Sequence, residues 1–227
     1  MKIVRAYNAP TNVSIFMTTA EATFDRYSAD SRPVYEALCA AEGLISIVTL
    51  HQVHSANVFR VSAANQLAVN DSDGDGLFTS EAGLAIGVRA ADCYPVAIVG
   101  EHSIATVHCG WRGAVNGIIN SAARLFQAEG DKPQYAYVGA GISCEAFEVK
   151  EDFIAEVSKL TNSAPYLVNN DGWHFDLKKF IVDRLRDIDV ANIETADRCT
   201  FADPSFHSYR RDGAAAGRML MVAYARR

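Results

Sequence analysis

The chain has 227 residues, 49% hydrophobic and 21% charged, which fits one globular domain over residues 1–227 and excludes a disordered tail. A net charge of −6 excludes general attraction to nucleic acid or an anionic membrane, so any bound anion has to be small and held locally. No apolar run reaches the roughly 18 residues of a membrane span. MKIVRAYNAP lacks a signal-peptide core, and five cysteines without a CxxC predict reduced thiols in a cytoplasmic protein, a monomer or small homo-oligomer.

β-Branched and aromatic runs alternate with stretches of helical apolar spacing. In order they predict a strand at 13–18, a helix at 31–41, and strands at 45–50, 57–61, 84–88, 95–99 and 104–108. A helix at 115–127, a strand at 135–138, helices at 152–160 and 177–187, and a closing strand at 219–224 complete the set. Val115, Ile118, Ile119, Ala122 and Phe126 form the apolar stripe of the first of these helices. The central strands follow one another without intervening helices. That order predicts an α+β fold, a layered sandwich of mixed β-sheets with flanking helices, over a doubly wound parallel sheet.

The chemistry concentrates in residues 84–113, LAIGVRAADCYPVAIVGEHSIATVHCGWRG. Cys93 follows one predicted strand, His108 ends another, and His54 in HQVHSANV heads a third. One thiolate and two imidazoles on strand ends make a three-ligand metal site with one position open, the pattern of catalytic zinc; structural zinc prefers four protein ligands. The plainer alternative is a buried thiol and two hydrogen-bonded imidazoles that share no ligand. Asp92 before Cys93, Pro95 after it and Gly110 beyond His108 favour a built site. Cys109 alternates onto the strand face opposite His108, and His51 lies three residues from His54, so both are expected outside the ligand set.

HCGWRGAVNG, 108–117, reads as strand, tight turn and helix, placing Arg112 beside free backbone N–H groups as an anion pocket. In FHSYRRDG, Arg210 and Arg211 stand with Tyr209 and His207, a set able to orient a phosphate or a nucleobase. Two other loops fail on spacing. Asp71, Asp73, Asp75 and Gly76 imitate the start of a calcium loop, but Ala82 occupies the twelfth position where Glu is needed. Gly139 and Gly141 imitate a phosphate loop, but Cys144 replaces the third glycine, so a sheet-edge turn is expected.

HQVHSANV, DGDGLFTS, ADCYPVAIV, VHCGWRGAV, GAGIS and FHSYRRDGAAAGR follow the order seen in the laccase-domain proteins, also called the multicopper polyphenol oxidase or YfiH-like family. The chain resembles that family from His51 onward. The resemblance implies an α+β sandwich of mixed sheets with zinc held by His54, Cys93 and His108 at the base of a pocket. It implies purine nucleoside phosphorylase activity on a small-molecule nucleoside and phosphate, with adenosine deaminase and methylthioadenosine phosphorylase side activities. Copper-dependent phenol oxidation is the claim behind the family name, and some bacterial relatives are linked to amide hydrolysis in peptidoglycan precursors. Residues 13–30, VSIFMTTAEATFDRYSAD, stand where the family usually has a GVS…SLNLG-type stretch, and Ala140 stands where it tends to have proline.

The expected chemistry is therefore zinc-dependent attack on a purine nucleoside. His54, Cys93 and His108 hold the metal, Arg112 and Arg210 hold phosphate, and Asp92 orients a ligand or the substrate. Zinc would lower the pKa of a water in the open position to about 7, which suits deamination, whereas phosphorolysis needs phosphate at the anomeric carbon. The alternative enzyme uses Cys93 as nucleophile and His108 as its base on an amide. Copper ranks after zinc as the metal, because six histidines with no HxH pair are too few for a trinuclear cluster. A non-enzymatic, metal-stabilised binding protein would instead require a closed fourth position.

Overall fold

A computed structural model describes residues 1–25 and 31–226. Residues 26–30, the end of the departing N-terminal segment, lie outside the described residues. The strands are β1 (Ile3–Arg5), β2 (Val13–Thr18), β3 (Ile47–Val48), β4 (Val58–Arg60), β5 (Gly76–Thr79), β6 (Ala85–Ala90) and β7 (Tyr94–Val99). They continue with β8 (Ile104–Cys109), β9 (Tyr135–Val138), β10 (Glu148–Val149), β11 (Leu167–Asn169), β12 (Trp173–Phe175), β13 (Asn192–Thr195) and β14 (Met219–Ala225). The helices are α1 (Arg32–Glu42), α2 (Gln66–Val69), α3 (Trp111–Val115), α4 (Ile118–Ala128), α5 (Glu151–Leu160), α6 (Leu177–Asp187) and α7 (Tyr209–Asp212).

Two large sheets carry the fold, one in the order β1-β2-β14-β6-β3 and one in the order β13-β9-β7-β8-β5-β4. Each is mixed: β3 runs parallel to β6, and β13 and β4 run parallel to β9 and β5, while the other pairings are antiparallel. A small antiparallel sheet, β10-β12-β11, stands apart. The chain is thus α+β with mixed sheets and flanking helices.

Alternation along the strands builds the layers. Ile15, Met17, Met221 and Ala223 point between the two large sheets and meet Leu77, Ala97, Val99 and Tyr137. Their neighbours Phe16, Leu220 and Val222 point the other way, beneath Tyr35 and Leu38 of α1. Both faces are covered, so these strands are buried almost throughout and do not show a polar-out pattern. The second sheet sends Phe78, Val96 and Val107 outward against Ile118 and Phe126 of α4 and Phe180 and Leu185 of α6. Phe78 and Phe126 meet edge to face at 5.0 Å. Truncating Phe126 to alanine would cost about 3–5 kcal/mol through lost burial and a residual cavity.

Local signals explain most boundaries. Gly43, at φ 68°, ends α1 in the left-handed conformation, and the Asp176 side chain caps α6 by accepting from Lys179 N. The expected helix at 115–127 is instead two helices, because Gly117 adopts φ 85° and breaks the ladder between α3 and α4. The strand expected at 45–50 contracts to β3. Among the described residues no helix is long and apolar enough to cross a membrane.

Candidate metal centre

His54, Cys93 and His108 converge from the β3–β4 loop, the β6–β7 turn and the end of β8, their ligand atoms all within 4.8 Å of one another. His108 is the penultimate residue of β8, and alternation turns it away from Cys109, which packs in the helix-side core. Cys93 lies in the turn between β6 and β7, directly after Asp92 at φ 84°. His54 is itself in the left-handed region at φ 60°, a conformation that persists in a non-glycine residue only when its surroundings impose it.

What imposes it is Asp75, a fully buried carboxylate just before β5. It accepts backbone N–H bonds from Val53 (3.1 Å), His54 (3.0 Å) and Ser55 (2.6 Å), and the Ser55 hydroxyl at 2.9 Å. The same carboxylate lies 2.9 Å from Nδ1 of His108. This occupies Nδ1 and leaves Nε2 for a ligand, the carboxylate–histidine–metal arrangement that orients imidazole in metal sites. Burial alone would raise the Asp75 pKa, but His108 and Ser55 outweigh it and hold the carboxyl below its ordinary range.

Without a metal, the remaining electrostatics describe a thiolate beside an imidazolium. Burial would push the Cys93 thiol up, but His108 and His54 bring it down to about 6. Burial would push His108 down, but the Cys93 thiolate and Asp75 raise it to about 9. Space at the centre is guarded by Gly110. A β-carbon there would stand 2.7 Å from Cδ2 of His54 and 3.1 Å from the Cys93 sulfur, so only glycine lets the β8–α3 turn pass so close. The donor set, the oriented histidine and the room left by Gly110 fit a single zinc ion.

The centre forms part of the wall of a cavity of about 680 Å³, a size suited to a small organic ligand. Trp111, Phe147, Ile142, Leu177 and Tyr209 supply apolar wall, and Arg89, Arg210 and Arg218 supply positive charge. Asp92 also lines the cavity, but its carboxylate is engaged: Oδ1 accepts from the Thr200 hydroxyl at 2.7 Å and Oδ2 from Arg210 N at 2.6 Å. Arg210 reaches back to Glu148 O at 3.1 Å and lies over Phe147.

Not every candidate arrives. Arg112 lies over the Trp111 ring and points to Glu156 at 3.5 Å, outside the cavity lining. Arg211 is tied to Asp212 and to the carbonyls of Thr200 and Phe206. His51 does line the cavity, with Nδ1 held 2.7 Å from Asp73. Gly141 bridges to Cys199 and packs on the Tyr94 ring, as befits a sheet-edge turn. Sequence reasoning missed Asp75, which it met only inside the rejected calcium loop. The usable signal was an acid at the start of a short apolar run, DGLFT, able to lie beside the histidine strand.

A family profile described as multi-copper polyphenol oxidoreductase laccase matches residues 28–226. The chain is similar to the purine nucleoside phosphorylase of Deinococcus radiodurans, at 31% identity over 208 residues, 87% of this chain and 79% of that protein. It is similar to purine nucleoside phosphorylase RP494 of Rickettsia prowazekii, at 27% identity over 211 residues, 87% of each. Among solved structures, Neisseria meningitidis protein NMB0706 superposes with a TM-score of 0.83 at 27% identity, covering 99% of both chains. YfiH of Bacillus licheniformis gives a TM-score of 0.84 at 20% identity, covering 94% of this chain and 93% of that one.

Proposed function

The chain belongs to the multi-copper polyphenol oxidoreductase laccase family, and from that premise we propose that it is a zinc-dependent purine nucleoside phosphorylase. The observation that carries the reading is the open three-ligand set of His54, Cys93 and His108 in the wall of a nucleoside-sized cavity. Relatives named purine nucleoside phosphorylase at about this distance support it. Zinc there would supply Lewis-acid polarisation of a substrate oxygen or nitrogen. His54 and Cys93 would hold it with His108, whose ring Asp75 keeps in register.

In phosphorolysis a phosphate oxygen bonds to the anomeric carbon as the glycosidic C–N bond breaks; the bonding pair leaves with the purine, which takes up a proton. Trp111, Phe147 and Tyr209 offer aromatic faces for the base. Arg210 offers charge toward the phosphate, and Asp92 fixes Arg210 through its backbone amide. Adenosine deamination and methylthioadenosine phosphorolysis are side activities of the same pocket in this reading. Copper phenol oxidation would need further histidine clusters, and His54, Cys93 and His108 are the one such group among the described residues.

A second reading has its own observation. Asp75, His108 and Cys93 also form the acid–base–nucleophile order of a cysteine hydrolase, which would suit amide hydrolysis in a peptidoglycan precursor. Zinc and thiolate attack exclude each other at Cys93. The deciding experiment is incubation of zinc-loaded protein with inosine and phosphate, following hypoxanthine by chromatography beside Cys93→Ala. Phosphate-dependent release that disappears in the variant is expected. No release from the wild type overturns the phosphorylase and leaves the amidase as the working reading.

A further inference from the structure

Arg89 is the fifth residue of β6, on the sheet face covered by α1, and only 7% of it is exposed. Its guanidinium donates to two backbone carbonyls, Leu50 O and, at 3.0 Å, Asp25 O. Among the described residues no carboxylate lies within ion-pairing distance of it. A buried cation is ordinarily matched by an anion, because carbonyl dipoles replace lost water only in part. Even partly exposed arginines elsewhere pair with acids: Arg5 with Glu42, Arg60 with Glu129, Arg112 with Glu156 and Arg211 with Asp212.

Three arginines without an acid partner among the described residues gather in one place. Arg89, Arg210 and Arg218 all line the cavity, and among the described residues none of them is ion-paired: Arg89 meets two carbonyls and the Tyr35 hydroxyl, Arg210 the Glu148 carbonyl and the Phe147 ring, and Arg218 the carbonyls of Ala216 and Gly217 and the Tyr209 ring. Acids are not scarce, since the chain has 27 Asp and Glu against 21 Lys and Arg. Arg89 and Arg218 are also neighbours through one strap of backbone. Phe24 N donates to Arg218 O at 2.9 Å, and the next residue, Asp25, accepts from Arg89. Two acids share the lining. Asp92 is engaged by Thr200 and Arg210 N, and Asp25 keeps its carboxylate beyond ion-pairing reach of Arg89.

We propose that Arg89, with Arg218 in the same lining, forms a phosphate subsite in the cavity wall, and that inorganic phosphate supplies a counter-charge there. The ligand's identity as a co-substrate rests on the phosphorylase reading; the anion site itself rests on guanidinium groups that meet no carboxylate among the described residues. The subsite is tied to the metal centre by Gln52, whose side chain clamps Arg89 N and Arg89 O, both at 2.8 Å, two residues before His54. A planar, rigidly held guanidinium suits the oxygens of phosphate better than an exposed, mobile lysine would.

The test is titration of zinc-loaded protein with inorganic phosphate at constant ionic strength, read by calorimetry, for wild type, Arg89→Met and Asp25→Asn. Wild type should bind saturably, Arg89→Met roughly tenfold or more weakly, and Asp25→Asn severalfold more tightly. In turnover, Arg89→Met should raise KM for phosphate by a similar factor and leave KM for inosine within about twofold. Equal phosphate affinity in wild type and Arg89→Met overturns the proposal, as does wild type that binds ribose 5-phosphate but not inorganic phosphate. If Arg89→Met does not fold, Asp25→Asn decides: tighter binding supports the subsite and unchanged binding overturns it. Wild type that turns over no inosine but binds phosphate in an Arg89-dependent way refutes the phosphorylase and sustains the subsite.

Discussion

Asp75 lies 2.9 Å from His108 across two neighbouring strands, and the same carboxylate gathers the three successive amides of residues 53–55. One buried acid therefore sets the ring of one candidate ligand and the backbone of another. We expect Asp75→Asn to weaken zinc binding by about 10–100-fold, the usual effect of losing a partner of a ligating histidine. Asp75→Ala should in addition cost about 3 kcal/mol of stability, since it strands several buried donors. Zinc competition against a chelator reads the first, and urea unfolding the second. Unchanged zinc affinity in Asp75→Asn would remove Asp75 from the site.

Gly110 makes a sharper separation of site from fold. Gly110→Ala places a carbon against His54 and the Cys93 sulfur, so the ligands must move apart at a cost of about 1–3 kcal/mol. Zinc content after dialysis should drop well below one equivalent while circular dichroism stays native. A variant that retains full zinc would mean that the three side chains do not share an ion.

Reactivity of Cys93 distinguishes the two chemical readings. In metal-free protein the thiol, which burial would raise, is brought by His108 and His54 to about 6. Alkylation by iodoacetamide should therefore be fast at pH 7 and fall roughly tenfold by pH 5. His108→Gln should move that midpoint upward. Cys144, which burial together with Asp176 and Glu145 pushes up to about 11, should lag at neutral pH. Added zinc should protect Cys93, as peptide mass spectrometry would show. Full activity after complete Cys93 alkylation would exclude both readings at once.

A fourth expectation concerns acid stability at a site remote from the cavity. Burial would raise the Glu194 pKa, but the N–H groups of Tyr7 and Asn8 and the Tyr135 hydroxyl outweigh it and hold the carboxyl low. Because the folded value lies below the unfolded value of about 4.3, the stabilisation is complete above that pH and is lost as pH falls through the folded pKa. Glu194→Gln should lower the melting temperature at pH 7 and narrow its difference from wild type toward pH 3. A difference that grows on acidification would contradict this assignment.

Much of the fold was legible where local pattern and final environment agree. β2, β9 and α6 have the boundaries that their apolar runs predict, and the mixed-sheet sandwich follows from consecutive central strands. β10 to β13 were not foreseen, because two to four residues such as Asn192–Thr195 carry no period to read. β5 is equally short and hides behind the acidic run that contains Asp75. The convergence of His54, Cys93 and His108 was visible because their residue types are scarce and flanked by turn chemistry. The fate of the arginines was not, because only the tertiary arrangement gives Arg112 its Glu156 and sets Arg89 against the carbonyls of Asp25 and Leu50.

The placement of β14 between β2 and β6 has a consequence for how the protein is made. Leu220 N donates to the Thr18 hydroxyl at 2.9 Å across a separation of 202 positions. A ribosome working at its usual pace needs about 10–40 s to cover that distance. Throughout that interval β2 has β1 on one edge and nothing on the other, so its backbone donors and acceptors on that edge emerge long before the strand that pairs with them exists. Nascent chains of this protein should accordingly depend on holding factors until translation is nearly over, and should gain protease resistance in one late step.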